Sequence, residues 1–342
     1  MNYDPYLEKY SRQILFAPIG DVGQRRLLNS SAIVVGCGAI GAAAASLLVR
    51  AGVGRVRILD RDFVEPSNLQ RQILFDESDA REALPKAVAA ERKLRAINSS
   101  VHVEGVVTDL VPSNALELLG GFDVILDGTD NFESRLLVND FAVSASRSWI
   151  YAAAVASYGV ILAIRPGITA CLACFVDDQP EAGLEDTCDT IGVIGPIVSL
   201  IASLEVAEAL KLLSAKESAL TNRLLSCDVW SGHMQSVLLP RNPVCRACAH
   251  HDFSYLHGEA QPHITMCGRD SVQIHERGRK LDLSALRVKL EHVVSSIRHN
   301  DFLLRFAIPP HEMTVFADGR AILKGSQDPA LARSLYARYI GS

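Results

Sequence analysis

Ala32-Ile33-Val34-Val35-Gly36-Cys37-Gly38-Ala39-Ile40-Gly41 is the stretch on which the reading of the fold turns. An unbroken β-favouring run ends in a glycine turn. A helix of small residues follows over Ala42–Ala51, then a second strand over Arg55–Leu59 that ends at Asp60. Strand, glycine turn, helix, strand and acid make the first βαβ unit of a nucleotide-binding fold. The glycines permit a tight turn and close backbone approach to a phosphate, and the helix N-terminus favours an anion. Asp60 can accept hydrogen bonds from ribose hydroxyls. Alone, this unit suits NAD or FAD equally and makes a dehydrogenase the first expectation, and the glycines also suit pure packing.

The pattern continues outward. Pro85 can open a helix at its first position and carry it to about Ile97. Strands are expected at Val101–Val107, Phe122–Leu126 and Trp149–Val155, with a helix over about Ser134–Ser146. Alternating strands and helices predict an α/β fold, a mainly parallel sheet covered on both faces. Ligands bind such sheets beyond the C-terminal strand ends. The polar clusters Gly36–Gly41, Asp60–Arg71 and Asp127–Asn131 all fall there. Residues 1–30 read as an N-terminal helical arm, 31–252 as the nucleotide-binding body, and 263–342 as a small α+β extension.

Composition narrows the class. With 342 residues, 49% hydrophobic and 21% charged, the chain can bury a large core. The net charge of −5 is scattered and includes no long basic run, which argues against nucleic acid. The apolar stretch Ile191–Leu213 is interrupted by Glu205, Glu208 and Lys211, so it reads as a buried helix and not a membrane span. The N-terminus lacks a signal-type apolar core, and the expected compartment is the cytoplasm. There the eight cysteines stay reduced.

The segment after Asp60 discriminates among nucleotides. Asp60-Arg61-Asp62-Phe63-Val64-Glu65-Pro66-Ser67-Asn68-Leu69-Gln70-Arg71-Gln72 is a dense polar loop that a dehydrogenase does not need. A triphosphate must be neutralised, and Arg71 and Lys86 can do so. Asn68 and Gln72 can hydrogen-bond phosphate or ribose. Asp130 can face a triphosphate only through a bridging Mg²⁺, although as an isolated residue it also suits a helix N-cap.

Tyr10-Ser11-Arg12-Gln13, the glycine turn, the Asp60–Gln72 loop, Pro85-Lys86 and Asp127–Asn131 together resemble the ThiF/MoeB/HesA family. The resemblance covers about residues 8–250, and Ser67-Asn68-Leu69-Gln70-Arg71-Gln72 is its most specific motif. It implies a Rossmann-like adenylation domain that uses ATP to adenylylate the C-terminal carboxylate of a ubiquitin-like sulfur carrier with a Gly-Gly tail. The implied ATP site takes in Gly36, Gly38, Ala39, Gly41, Asp60, Asp62, Ser67, Asn68, Leu69, Gln70, Arg71, Gln72, Lys86, Asp130 and Asn131. Arg12, Arg71, Lys86 and Asp130 match its catalytic positions, with Arg12 reaching the ATP of a partner subunit in a homodimer. One departure is Ala39, where relatives often have glycine; a methyl group there is tolerated if its φ is negative. The tail from Met266, with Cys267-Gly268-Arg269-Asp270, resembles the extension of longer, Bacillus-type members and tilts the expectation toward thiamine biosynthesis. A sulfur donor such as a cysteine desulfurase would complete the system.

The cysteines divide. Cys171-Leu172-Ala173-Cys174 and Cys245-Arg246-Ala247-Cys248 form two Cys-x-x-Cys knuckles. Four thiolates suit a closed, structural Zn²⁺ site, a reading the resemblance reinforces; a redox pair or a mixed site using His250 or His251 are the alternatives. Cys188 matches a family cysteine that attacks the acyl-adenylate or accepts sulfur, and otherwise is a small residue in a crossover loop. Cys37 and Cys227 read as buried small hydrophobes. Competing functions are activation of a MoaD-type carrier for molybdopterin synthesis, a nicotinamide- or flavin-dependent oxidoreductase, and a catalytically dead scaffold.

Overall fold

The computed structural model describes residues 5–176, 191–259, 271–275, 280–326 and 328–341. It divides into two units, Met1–Ala260 and Gln261–Ser342. The first unit opens with a 3-10 turn over Pro5–Tyr10, α1 (Ser11–Leu15) and α2 (Gly20–Leu28). There follow β1 (Ser31–Val35), α3 (Ala39–Ala51), β2 (Arg55–Asp60), a 3-10 turn at Pro66–Asn68, α4 (Glu77–Arg81), α5 (Lys86–Ile97) and β3 (His102–Val107). Next are α6 (Pro112–Leu119), β4 (Val124–Asp127), α7 (Phe132–Ser144), β5 (Ser148–Val155), β6 (Tyr158–Ile164) and a 3-10 turn at Leu172–Cys174. Then come α8 (Gly195–Leu213), a 3-10 turn at Glu217–Ala219, β7 (Leu224–Asp228), β8 (His233–Val237) and α9 (Ser254–His257).

β1 is central because it is apolar beyond Ser31, as a parallel strand covered on both faces must be. Ala32, Ile33, Val34 and Val35 are all buried. The eight-stranded sheet runs β3-β2-β1-β4-β5-β6-β7-β8. Pairings from β3 through β5 are parallel. β6, β7 and β8 then add an antiparallel wing. The expected strands end at Val155, so this wing is an addition to the sequence reading. α3, α5 and α8 pack on one face, α8 lying against α3, β4, β5 and β6. The opposite face packs Ile33, Val35, Ile125, Trp149 and Tyr151 against α6 and α7 residues including Leu119, Leu136 and Phe141. Truncating a ring as buried as that of Trp149 costs about 3–5 kcal/mol.

Element boundaries shift for identifiable reasons. α3 begins at Ala39 because Gly38 serves as its N-cap. Pro85 is the N-cap of α5 and not its first helical residue. β4 begins two residues late because Phe122 turns inward, with the guanidinium groups of Arg55 and Arg57 at 4.6 and 5.0 Å from its ring centroid. The N-terminal segment is fastened to the sheet layer. Gln13 and Gln24 both donate to the Ala51 carbonyl at 3.0 Å, and Asn98 donates to the Tyr10 hydroxyl at 2.8 Å.

The second unit is a five-stranded antiparallel sheet, ordered β10-β11-β12-β13-β9. Its elements are β9 (Ser271–His275), α10 (Leu283–Leu290), β10 (Ile297–His299), β11 (Leu303–Ile308), β12 (His311–Phe316), β13 (Arg320–Lys324) and α11 (Pro329–Tyr339). Val272, Leu304, Phe306, Met313, Val315 and Leu323 pack with Leu286, Leu290 and Tyr336 from the helices. Alternate strand residues face the helices, as the period of two requires. Among the described residues no helix is long and apolar enough to cross a membrane.

Candidate functional site

The C-terminal ends of β1, β2 and β4 meet at one place. Gly36 donates to the Leu59 carbonyl and Gly128 to the Val35 carbonyl, each at 2.8 Å, so the three strand ends are laced together. Gly36 has φ +87, which favours glycine, and a Cβ there would lie 2.5 Å from the Gly128 carbonyl oxygen. A Cβ on Gly41 would lie 1.9 Å from the Gly36 oxygen. These two glycines are required by packing. Gly38 is different: its Cβ would meet nothing closer than the Gly128 oxygen at 3.7 Å. It caps the N-terminus of α3 and leaves open space there. Ala39 is the first residue of that helix and is not among the residues with positive φ, so its methyl group strains nothing.

Asp60 is buried at the end of β2. One carboxylate oxygen accepts from the Cys37 N–H at 2.6 Å, the other from the Asp62 N–H at 2.7 Å. Burial pushes its carboxyl up to about 6, against the pull of Lys86. Lys86, the first residue of α5, is only 8% exposed, and its Nζ sits 3.3 Å from Asp62. Burial opposes its charge, but Asp62, Asp60 and Asp130 together outweigh this and hold the ammonium. One buried cation among three carboxylates is an acidic cluster that requires further positive charge before it can accept a polyanion.

The loop beyond is fixed by its own side chains. Asn68 is buried and accepts from the Glu65 N–H at 3.1 Å in a capping box, so part of its capacity is structural. Gln72 is 3% exposed, and its Oε1 has no hydrogen-bond partner among the described residues. Ser67 is exposed and its carbonyl accepts from Arg71 Nη1 at 2.9 Å, which folds the arginine onto its own turn. Leu69 is half-buried, and Gln70 is exposed with its backbone against Gly195, the first residue of α8.

Asp130 is exposed at the end of β4. It does not cap α7: that role belongs to Asn131, whose Oδ1 accepts from the Ser134 N–H at 2.8 Å. Asp127 is buried and pairs with Arg135 Nε at 3.1 Å. Arg135 also donates to the Thr129 carbonyl at 2.8 Å, so α7 holds the loop that carries Asp130. Arg135 was not singled out from the sequence; its spacing of five from Asp130, on a helix starting at a polar strand end, was the available signal. In the sequence Glu205 reads only as an interruption of an apolar run. It is fully buried on α8 and accepts from the Asp127 N–H at 2.8 Å. Burial and then Asp127 push its carboxyl well above the usual range.

Arg12 is exposed on α1, and among the described residues it has no hydrogen-bonded or charged partner. The structure therefore groups Lys86 with Asp60, Asp62 and Asp130 and leaves Arg12 outside this group. Cys188 and Cys267 lie outside the described residues. Cys37 and Cys227 are buried, as expected of small hydrophobes.

The four knuckle cysteines converge, with all Sγ atoms within 4.8 Å of one another. Separations are 3.8 Å for Cys171–Cys174, 3.6 Å for Cys171–Cys245 and 3.5 Å for Cys174–Cys248. A tetrahedral Zn²⁺ with bonds of about 2.3 Å spaces its sulfurs by about 3.8 Å, whereas a disulfide needs about 2.05 Å. The donor set fits a metal and no bond is formed between sulfurs. The Asn242 N–H donates to Cys174 Sγ at 3.4 Å. Burial and then the three neighbouring sulfurs push the Cys171 thiol up, so four thiolates this close need a cation.

Comparison with known proteins matches the fold. The chain is 43% identical over 337 residues to the sulfur carrier protein ThiS adenylyltransferase of Bacillus subtilis, covering 97% of this chain and 99% of that one. It is 36% identical to the sulfur carrier protein adenylyltransferase of Thermus thermophilus, covering 71% of this chain and 90% of the relative. Escherichia coli MccB crystallised with ATP superposes with a TM-score of 0.62 at 25% identity, over 70% of this chain and 74% of that one. The ThiF family matches residues 10–247, the span that contains the laced strand ends, the polar loop and most of both cysteine knuckles. That match spans more than half of the chain, and the chain belongs to the ThiF family.

Proposed function

We propose that the chain adenylylates the C-terminal carboxylate of a ubiquitin-like sulfur-carrier protein of the ThiS type, releasing pyrophosphate, in thiamine thiazole synthesis. The observation that carries the choice of carrier is the reach of the similarity. It runs through the second unit in the ThiS-directed relative, over 97% of the chain, and covers only 71% in the Thermus relative. The nucleotide reading rests on the open space at Gly38, the Lys86 cluster and the Gln72 oxygen, unpartnered among the described residues.

In this reaction a carrier carboxylate oxygen bonds to the α-phosphorus of ATP. The bond from that phosphorus to the bridging oxygen breaks, and pyrophosphate leaves with the electron pair. No general base is needed, because the attacking carboxylate is ionised at neutral pH. The protein positions the reactants and screens charge. Lys86 exchanges its Asp62 contact for phosphate, and Arg71 unfolds from the Ser67 carbonyl to do the same. Asp60 and Asn68 retain acceptor and donor capacity for ribose and phosphate. Asp130 is an oxygen donor of the kind Mg²⁺ prefers, and the ion would offset charge on the leaving pyrophosphate. Zn²⁺ on Cys171, Cys174, Cys245 and Cys248 would be structural, with no open position.

Arg12 acts across a homodimer in this reading. It is exposed, and Leu15 and Phe16 beside it are 69% and 59% exposed, an apolar pair suited to a second copy. Cys188 is assigned the covalent or sulfur-accepting role, a cysteine desulfurase supplies the sulfur, and the compartment is the cytoplasm. The test is ATP–pyrophosphate exchange with ThiS-like and MoaD-like carriers offered separately. Exchange with the ThiS-like carrier alone is the expected result. Preference for the MoaD-like carrier overturns the pathway, and NAD or FAD binding without exchange overturns the reaction.

A further inference from the structure

α7 touches both sites of the first unit. At its start, Asn131 caps it and Arg135 holds the Asp127–Thr129 turn next to Asp130. One helical turn further on the same face, Asn139 Oδ1 accepts from the Leu172 N–H at 2.8 Å, between Cys171 and Cys174. The next residue, Asp140, accepts from Arg246 Nη1 at 3.0 Å and from the Tyr255 N–H at 3.1 Å. Arg246 stands between Cys245 and Cys248, so each knuckle has its own anchor on α7. Its guanidinium also lies 4.9 Å from the Tyr255 ring centroid and donates to the Asp252 carbonyl at 3.1 Å. Asn139 and Asp140 are both fully buried and take no part in the nucleotide chemistry proposed above.

We propose that Asn139 and Asp140 are positioning residues that join the four-cysteine metal site to the nucleotide site through α7, so that each ligand tightens the other. This rests on the nucleotide reading above. The buried Leu172 N–H and the Arg246 guanidinium have specific acceptors on α7, and Arg135 grips the Asp130 turn from the same rigid helix. A metal that fixes the knuckles therefore fixes the axial position of α7, and with it the turn that faces the phosphates. Coupling between two binding equilibria is reciprocal, so nucleotide must also retain the metal. A chain of contacts gives only the route; the coupling itself has to be measured.

The experiment measures the zinc affinity of the full chain by equilibrium competition with a chromogenic chelator, with and without a non-hydrolysable ATP analogue. Calorimetry confirms that the analogue binds. Analogue should tighten zinc binding by about fivefold, within the usual range for coupled sites. Arg246→Met keeps all four cysteines and every nucleotide contact, and should lose this tightening while still binding the analogue. Arg246→Lys keeps a cation for Asp140 and should recover at least part of the tightening; it also serves if the methionine variant does not fold. Equal zinc affinities with and without analogue in a native chain that binds it overturn the proposal, as does full tightening in Arg246→Met. A native chain that binds no analogue overturns the nucleotide reading beneath it.

Discussion

At the strand ends, a methyl group would be ruinous on Gly41 and harmless to the fold on Gly38. The first would meet the Gly36 oxygen at 1.9 Å; the second would meet nothing nearer than 3.7 Å. Packing thus accounts for Gly36 and Gly41 and leaves Gly38 to be explained by a ligand. Gly38→Ala should unfold at the native temperature and bind ATP about tenfold more weakly, a loss near 1.4 kcal/mol by calorimetry. Unchanged affinity would remove the glycine turn from the phosphate site. Single residues were legible in the sequence where local spacing defines them. Asp60 and Lys86 were found because they follow a strand and open a helix. Whether Asp130 or Asn131 caps α7 was not decidable, because both residue types cap helices and only the backbone path selects one. Arg135 escaped notice because its partner Asp127 is near in space by virtue of the β4–α7 turn, which composition does not reveal.

Among the elements, the parallel strands were readable because apolar runs with polar strand ends alternate with helical segments. The antiparallel wing was not. β5 turns into β6 through Ala156, at φ +52, with no Asn-Gly or Asp-Gly signal to announce a hairpin. α8 reads as a buried helix from its apolar run, in which Glu205 stands only as a break in hydrophobicity. Glu205 joins α8 to the end of β4 through the Asp127 N–H. Its raised folded-state value means that the native chain keeps the proton to a higher pH than the unfolded chain, which ionises it in the ordinary carboxylate range. Its stabilising contribution is therefore full at low pH and declines as pH rises toward the folded-state value, by about 1.4 kcal/mol per pH unit. Glu205→Gln keeps an acceptor for the Asp127 N–H and removes this slope. Urea unfolding should show the variant gaining on the native chain as pH rises above the ordinary carboxylate range. A difference that stays constant as pH rises through that range would mean that Glu205 loses its proton as readily in the fold as in the unfolded chain.

For the whole molecule, the division at Ala260 separates two hydrophobic cores. The Thermus relative aligns over 90% of its own length with 71% of this chain. A chain truncated after Ala260 should therefore fold, keep its metal and retain ATP–pyrophosphate exchange within about threefold, since the strand-end residues described above all belong to the first unit. Loss of exchange in a folded, metal-loaded truncation would make the second unit part of the reaction. The small α+β character of that unit was legible from its mixed short signals, but its strand order was not, because antiparallel neighbours are chosen by packing and not by local sequence. The cysteine cluster has one more consequence. It joins positions 74 residues apart, Cys171 to Cys245, with α8, β7 and β8 between them. With the metal seated, the chain is a lasso. A force applied to its two ends bypasses everything inside the noose, and those elements yield only after a metal–sulfur bond ruptures, as a separate, later lengthening of the tether.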